Sequence, residues 1–129
     1  MKAFISTLGI ILFLCASCEK DNSDIAALQG KWIVKKMLAD PGDGSGRYQD
    51  VSGNTYIDFR KDGEIKSNAS FGLNMLKSYE VTDSVTILFS FKESSSQPKT
   101  TYRYKFSGDT LILNPPCIEG CGIKLVRSH

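Results

Sequence analysis

From Gly30 onward the chain alternates. In Ser84–Phe91, "SVTILFSF", the apolar residues Val85, Ile87, Phe89 and Phe91 fall at every second position and share one face. In Thr101–Phe106, Tyr102, Tyr104 and Phe106 do the same, opposite Thr101, Arg103 and Lys105. One apolar and one polar face per strand suits a sheet that is solvated outside and packed inside. The stretch "NTYIDFRKDGEIKSN" predicts a hairpin, with Ile57 and Phe59 alternating against Tyr56 and Asp58 and Asp-Gly turning the chain. "KSYEV" and "SVTILFSF" are joined by a short turn at "TD", "TTYRYKF" leads through "SGD" into "TLIL", and "GIKLVR" ends the series. With "KWIVKKML" at its head the series has eight strands, or nine if "RYQDV" is one.

Before the strands, "SDIAALQ" suits a short helical turn capped by Ser23 or Asp24. No stretch after it sustains a helical period for three turns, which argues against βαβ units. Short successive connections favour an antiparallel meander. Eight such strands can close into a barrel without exposed edges, or split into a two-layer sandwich. The expected fold is all-β: an antiparallel, eight-stranded, up-and-down barrel.

The first residues have a different character. Lys2 is followed by an apolar run, Ala3–Ala16, of about 14 residues, short of the roughly 20 that span a bilayer. A basic start, a short apolar stretch and small residues describe a secretory signal. Ala16 and Ser17 sit directly before Cys18, and here the chain resembles the signal peptides of bacterial lipoproteins. It departs from them at Cys15, where Leu, Val or Ile is usual. The resemblance implies cleavage before Cys18 and its acylation with diacylglycerol and palmitate-type chains. Two or more chains hold a protein stably on a membrane. An ordinary cleaved signal or a stubby anchor is the competing interpretation. The expected division is a signal at 1–17, a lipidated tether at 18–24 and a barrel domain at 25–129. The polar residues "EKDNSD" resemble export signals that place lipoproteins in the outer membrane, so a surface-exposed lipid-anchored location is expected.

A second resemblance lies at the first strand. Gly30, Lys31 and Trp32 are similar to the Gly-x-Trp signature of lipocalins, which follows a short helical turn in that family. The family's "TDY" motif is missing. The chain is closer to compact lipocalin-like domains of bacterial lipoproteins, sharing the start, the hairpin Phe59, Asp62, Gly63 and a late cysteine pair. The resemblance implies that Trp32 lies at the closed end of the barrel with a last-strand Arg across its ring. Arg127 is placed for that; the alternation turns Arg103 outward. It also implies a capacity to bind a small apolar molecule.

Candidate chemistry is sparse. Lys and Arg total 16 against 14 Asp and Glu, a balance that gives no electrostatic case for nucleic acid. The single His is His129, at the terminus, so neither a His-based metal site nor a Ser–His nucleophile is available. Asp58, Glu64 and Glu80 suit solvated strand faces better than a catalytic carboxylate pair. "PGDGSG" has no following Gly-Lys-[Ser/Thr] and is taken as a flexible loop rather than a phosphate cradle. No cofactor, metal or enzymatic activity is expected, and the domain is expected to be a monomer.

Cys117 and Cys121, four apart in "CIEGC", have three fates: a disulfide with each other, free thiols, or part of a metal site. In an oxidising envelope compartment the disulfide is expected. The aromatic residues Trp32, Phe59, Phe89, Phe91, Tyr102, Tyr104 and Phe106 are expected to point inward, lining a ligand pocket or filling a core. Two functions follow. One is a tethered barrel that binds a small apolar ligand or a partner. The other is a filled barrel presenting loops 40–48 and 94–99 to a protein or glycan, with Tyr48 and Phe71 clustered on a rim.

Overall fold

The computed structural model describes residues 22–93 and 98–129. The segment 1–21, with Cys18, and residues 94–97 lie outside the described residues. Helix α1 (Asn22–Leu28) leads into β1 (Gly30–Ala39), followed by β2 (Gln49–Asp50), β3 (Tyr56–Phe59) and β4 (Ile65–Ser67). A single 3-10 turn, Leu73–Met75, precedes β5 (Leu76–Asp83). The chain then runs through β6 (Thr86–Phe91), β7 (Lys99–Ser107), β8 (Thr110–Asn114) and β9 (Cys121–Arg127).

Every pairing is antiparallel, and the strand order is β4-β3-β1-β9-β8-β7-β6-β5. The last strand pairs with the first, Trp32 opposite Arg127 and Ala39 opposite Cys121. The remaining seam is drawn together by a single bridge, Glu64 to Ser78, and by the Tyr79 N–H donating to the Gly63 carbonyl at 2.9 Å. The fold is therefore a nearly closed eight-stranded meander barrel of lipocalin-like architecture. The sandwich is excluded because β1 continues the hydrogen-bonded path from β9 to β3.

β2 stands off this path. It pairs only with the upper half of β1, through Lys36–Asp50 and Met37–Gln49, while β3 pairs with the lower half. The register of β1 against β9 shifts between Val34 and Lys36, and such a bulge bends a strand so that it can serve two neighbours. The segment "RYQDV" thus yields a strand of only two residues.

The connections divide between two ends. Helix α1, the hairpins at 60–64, 84–85 and 108–109 and the chain terminus occupy one, called here the closed end. The loops 40–48, 68–75 and 115–120 occupy the other, the rim. The turn between β5 and β6 is Ser84–Val85, not Thr82–Asp83 as the sequence suggests. The Asp83 side chain accepts from the Val85 N–H at 2.9 Å, an Asx turn that fixes the reversal there. Val85 is in consequence exposed, although its parity matches the inward residues Ile87 and Phe89.

Candidate functional site

At the closed end, residues 98 positions apart are tied together. The Arg127 guanidinium lies 4.3 Å from the centroid of the Trp32 ring. One Arg127 nitrogen donates to the Gln29 carbonyl at 2.8 Å, and the other donates to the Ala27 carbonyl. The Trp32 indole N–H donates to the Leu28 carbonyl at 2.8 Å. Three carbonyls at the end of α1 are thereby satisfied by two side chains of the barrel, and a cation meets the negative end of the helix. Leu28 is fully buried beneath them. Gly30 joins helix to barrel at φ +111°, and a Cβ there would lie 3.2 Å from an Arg127 nitrogen. That is the physical content of the Gly-x-Trp spacing: the residue two before the Trp must turn left-handed and leave room for the guanidinium.

Inside the barrel the expected aromatic rings meet one another. Phe59 on β3 and Phe89 on β6 stand three strands apart around the wall, yet their centroids are 6.2 Å apart across the interior. Phe59 is 1% exposed and Phe89 0%. Tyr102 packs edge-on to Phe89 at 4.9 Å, and Tyr79 edge-on to Phe59 at 5.0 Å. Near α1, Trp32 and Phe106 approach to 6.1 Å and Tyr104 packs against Phe106 at 5.9 Å. Phe91 and Phe106 are half-buried against this core. On the rim side, the 3-10 turn buries Leu73 completely, and Ala69 beside it is equally covered.

Burial raises the Tyr79, Tyr102 and Tyr104 phenols above their usual pKa. The Tyr104 hydroxyl donates to the Asp83 carbonyl at 3.2 Å, and the carboxylates of Asp24 and Asp83 add to its shift. Tyr79 donates to the Arg60 carbonyl at 2.8 Å.

The rim is held by two devices. Cys117 and Cys121 form a disulfide, with Cα atoms 6.2 Å apart, closing the loop between β8 and β9. The loop "DPGDGSG", expected to be flexible, is wound around Asp40. Its carboxylate accepts from the N–H groups of Gly42, Gly44 and Gly46 at 2.8, 3.1 and 3.0 Å. Those donors, Gly42 first, hold the Asp40 carboxyl below its ordinary pKa. The glycine nest therefore carries its anion in its own sequence. The two devices touch, since the Asp40 N–H donates to the Gly120 carbonyl at 2.9 Å.

Tyr48 does not join Phe71 on the rim. It lies half-buried over Gly122 on the outer wall, where a Cβ would collide with its hydroxyl, and Lys124 sits 4.2 Å from its ring centroid. Phe71 is 65% exposed at the tip of the 68–75 loop, and its backbone is left-handed at φ +65°. It borders a shallow recess of about 230 Å³ lined with Met37, Ala39 and Val51. Ile118, inside the disulfide loop, is fully exposed at the same end. Of the loop 94–99, residues 94–97 lie outside the described residues.

Among the described residues no three His, Cys, Asp or Glu side chains gather as a metal site, and no helix is long and apolar enough to cross a membrane. Comparison with family models, curated proteins and solved structures returns no match for the chain. The Asp40 nest escaped the sequence reading, although an Asp heading three alternate glycines is its visible signal.

Proposed function

We propose that this chain is a lipid-anchored lipoprotein of the cell envelope, held in the outer membrane by Cys18, whose barrel works by contact and not by turnover. The observation that carries this reading is the meeting of Phe59 and Phe89 across the interior at 6.2 Å. The centre of the barrel is occupied by its own side chains, so recognition falls to the surface. The rim supplies apolar contacts there: Phe71 is exposed on the loop pinned by the buried Leu73 of the 3-10 turn, and Ile118 on the loop closed by the disulfide. Ordered loops lose little conformational entropy on binding, which favours recognition by preorganisation. A protein partner suits two separate apolar side chains better than a hydrated glycan does.

The test is site-specific photo-crosslinking in intact cells. A crosslinker at position 71 or 118 should give a discrete protein adduct, and one at Thr101 on the outer wall should not. Equal yields at all three positions, or no adducts, would contradict the rim as a contact surface. Cys18→Ala should separately release the protein from membranes washed in high salt, which also strips protein held by charge alone; retention in the detergent-extracted fraction after that wash would refute the anchor.

A second reading places a small apolar ligand at the rim end of the interior, where Phe91 and Met37 are only partly buried against the core. A molecule retained through native mass spectrometry of the purified protein would favour it.

A further inference from the structure

The four contiguous strands β7, β8, β9 and β1 carry no Asp or Glu at all. Their outward side chains include Lys31, Lys35 and Lys36 on β1, Arg103 and Lys105 on β7, and Lys124 on β9. The acids Asp58, Glu80 and Asp83 stand on β3 and β5, with only Lys66 and Lys77 among cations on β3 to β6. A net charge of +2 thus conceals a barrel with one basic wall. The near-neutral composition gave no hint of it, because the segregation exists only once the strand order is known.

The arrangement within the wall is more specific than its sum. Lys36, Lys124, Ile112 and Lys105 are successive cross-strand partners in a single row. Lys36 and Lys124 face each other directly, and like charges so placed destabilise a sheet. Lys36 is relieved by Asp50 of β2 at 3.2 Å, at the border of the wall. One step toward the closed end, Tyr56, Ile33 and Val126 form a second row of partners, all half-buried. Lys31 lies 4.0 Å from the Tyr56 ring centroid, and Lys124 similarly covers Tyr48. Apolar side chains and aromatic rings therefore alternate with lysines across one exposed face.

We propose that this wall is a docking face for an anionic lipid bilayer. Anionic headgroups attract the cations, each lysine near such a surface being worth about 1 kcal/mol. Lysine stems can lie along apolar surface while their ammonium groups reach the headgroups. Ile33, Val126 and Ile112 gain from the headgroup–acyl boundary, and the two tyrosines present rings suited to that depth. A soluble polyanion would use the charges and leave the apolar rows idle. The proposal does not depend on acylation of Cys18.

The experiment uses the full chain carrying Cys18→Ser, so that no acyl chain contributes, in vesicle flotation. Vesicles of phosphatidylcholine alone are compared with vesicles that also contain phosphatidylglycerol. Binding should favour the anionic vesicles and fade as salt is raised. The double charge reversal Lys105→Glu/Lys124→Glu should lower binding to anionic vesicles at least about tenfold and leave the zwitterionic background unchanged. Lys66→Glu/Lys77→Glu, off the wall, should change it by no more than about twofold. If the double reversal unfolds the domain, Lys105→Gln/Lys124→Gln should still lower anionic binding by about tenfold. Equal binding to both vesicle types, or anionic binding that survives both double variants, would overturn the proposal. So would salt-dependent self-association without lipid, which would assign the wall to a second copy. Equal competition by soluble dextran sulfate would assign it to a polyanion instead.

Discussion

Trp32 and Arg127 are direct cross-strand partners where the first and last strands meet, and the guanidinium lies over the indole ring, 4.3 Å from its centroid. Both side chains also donate to carbonyls at the end of α1. One pair of residues thus closes the barrel and fastens the helix across its end.

Arg127→Ala should destabilise the domain by about 2–4 kcal/mol, combining a cation–π contact with two hydrogen bonds to backbone carbonyls. Arg127→Lys should recover only part of this, because an ammonium cannot fork between the Ala27 and Gln29 carbonyls. Chemical denaturation of both variants checks the order. A Lys variant as stable as the parent would remove the bidentate role.

Gly30→Ala should cost about 1–2 kcal/mol although it adds a single methyl. The position is left-handed at φ +111°, a conformation costly for residues with a Cβ. The new methyl would also press on the Arg127 nitrogen at 3.2 Å. The same denaturation measurement applies, and a neutral result would show that the junction can relax.

Phe71→Asn should stabilise the fold, by about 0.5–1 kcal/mol, because Asn tolerates the left-handed backbone that Phe71 is held in. It should at the same time abolish partner contact at the rim. Strain retained by an exposed aromatic residue is an arrangement that binding explains and packing does not. A loss of thermal stability in this variant would show that the ring contributes to the fold.

Alkaline pH should weaken the domain through its buried phenols. Tyr79, Tyr102 and Tyr104 have folded pKa values raised above the ordinary 10.0. The folded state therefore holds these protons more tightly than the unfolded chain does. The stability this brings is fully present below pH 10.0 and is lost as pH rises through the folded values. Denaturation midpoints across that range should fall as the phenolate absorbance rises with ionisation. A flat midpoint would contradict the burial assigned to these rings.

Reduction of Cys117–Cys121 should cost about 2 kcal/mol on chain entropy alone for so short a loop. Its larger effect should be local. Amide exchange should speed in residues 115–120 and in the 40–46 loop, which is joined to them through Asp40 and Gly120. Unchanged exchange at 40–46 would separate the two devices.

Much of the barrel was legible in the sequence because a period of two leaves little freedom. Tyr102, Tyr104 and Ile87 point inward as their spacing requires, and Gly30, Trp32 and Arg127 meet as the lipocalin resemblance implies. Val85 shows where the period stops informing. It has the inward parity, but Asp83 turns the chain one residue before β6 begins. The Asp40 nest was hidden because backbone donors leave no side-chain signature, and alternate glycines suggest flexibility unless an acceptor is recognised among them. The basic wall was hidden for a different reason. Each lysine occupies an ordinary outward position, and only the pairing of β9 with β1 shows that the acid-free strands are neighbours.

The most direct test is native mass spectrometry of the protein extracted from its own membranes. The expected mass is that of a chain beginning at an acylated Cys18, short of two hydrogens for the Cys117–Cys121 disulfide, with no small molecule retained. An unacylated chain, or one carrying a stoichiometric apolar ligand, would contradict a tethered barrel that acts through its surface.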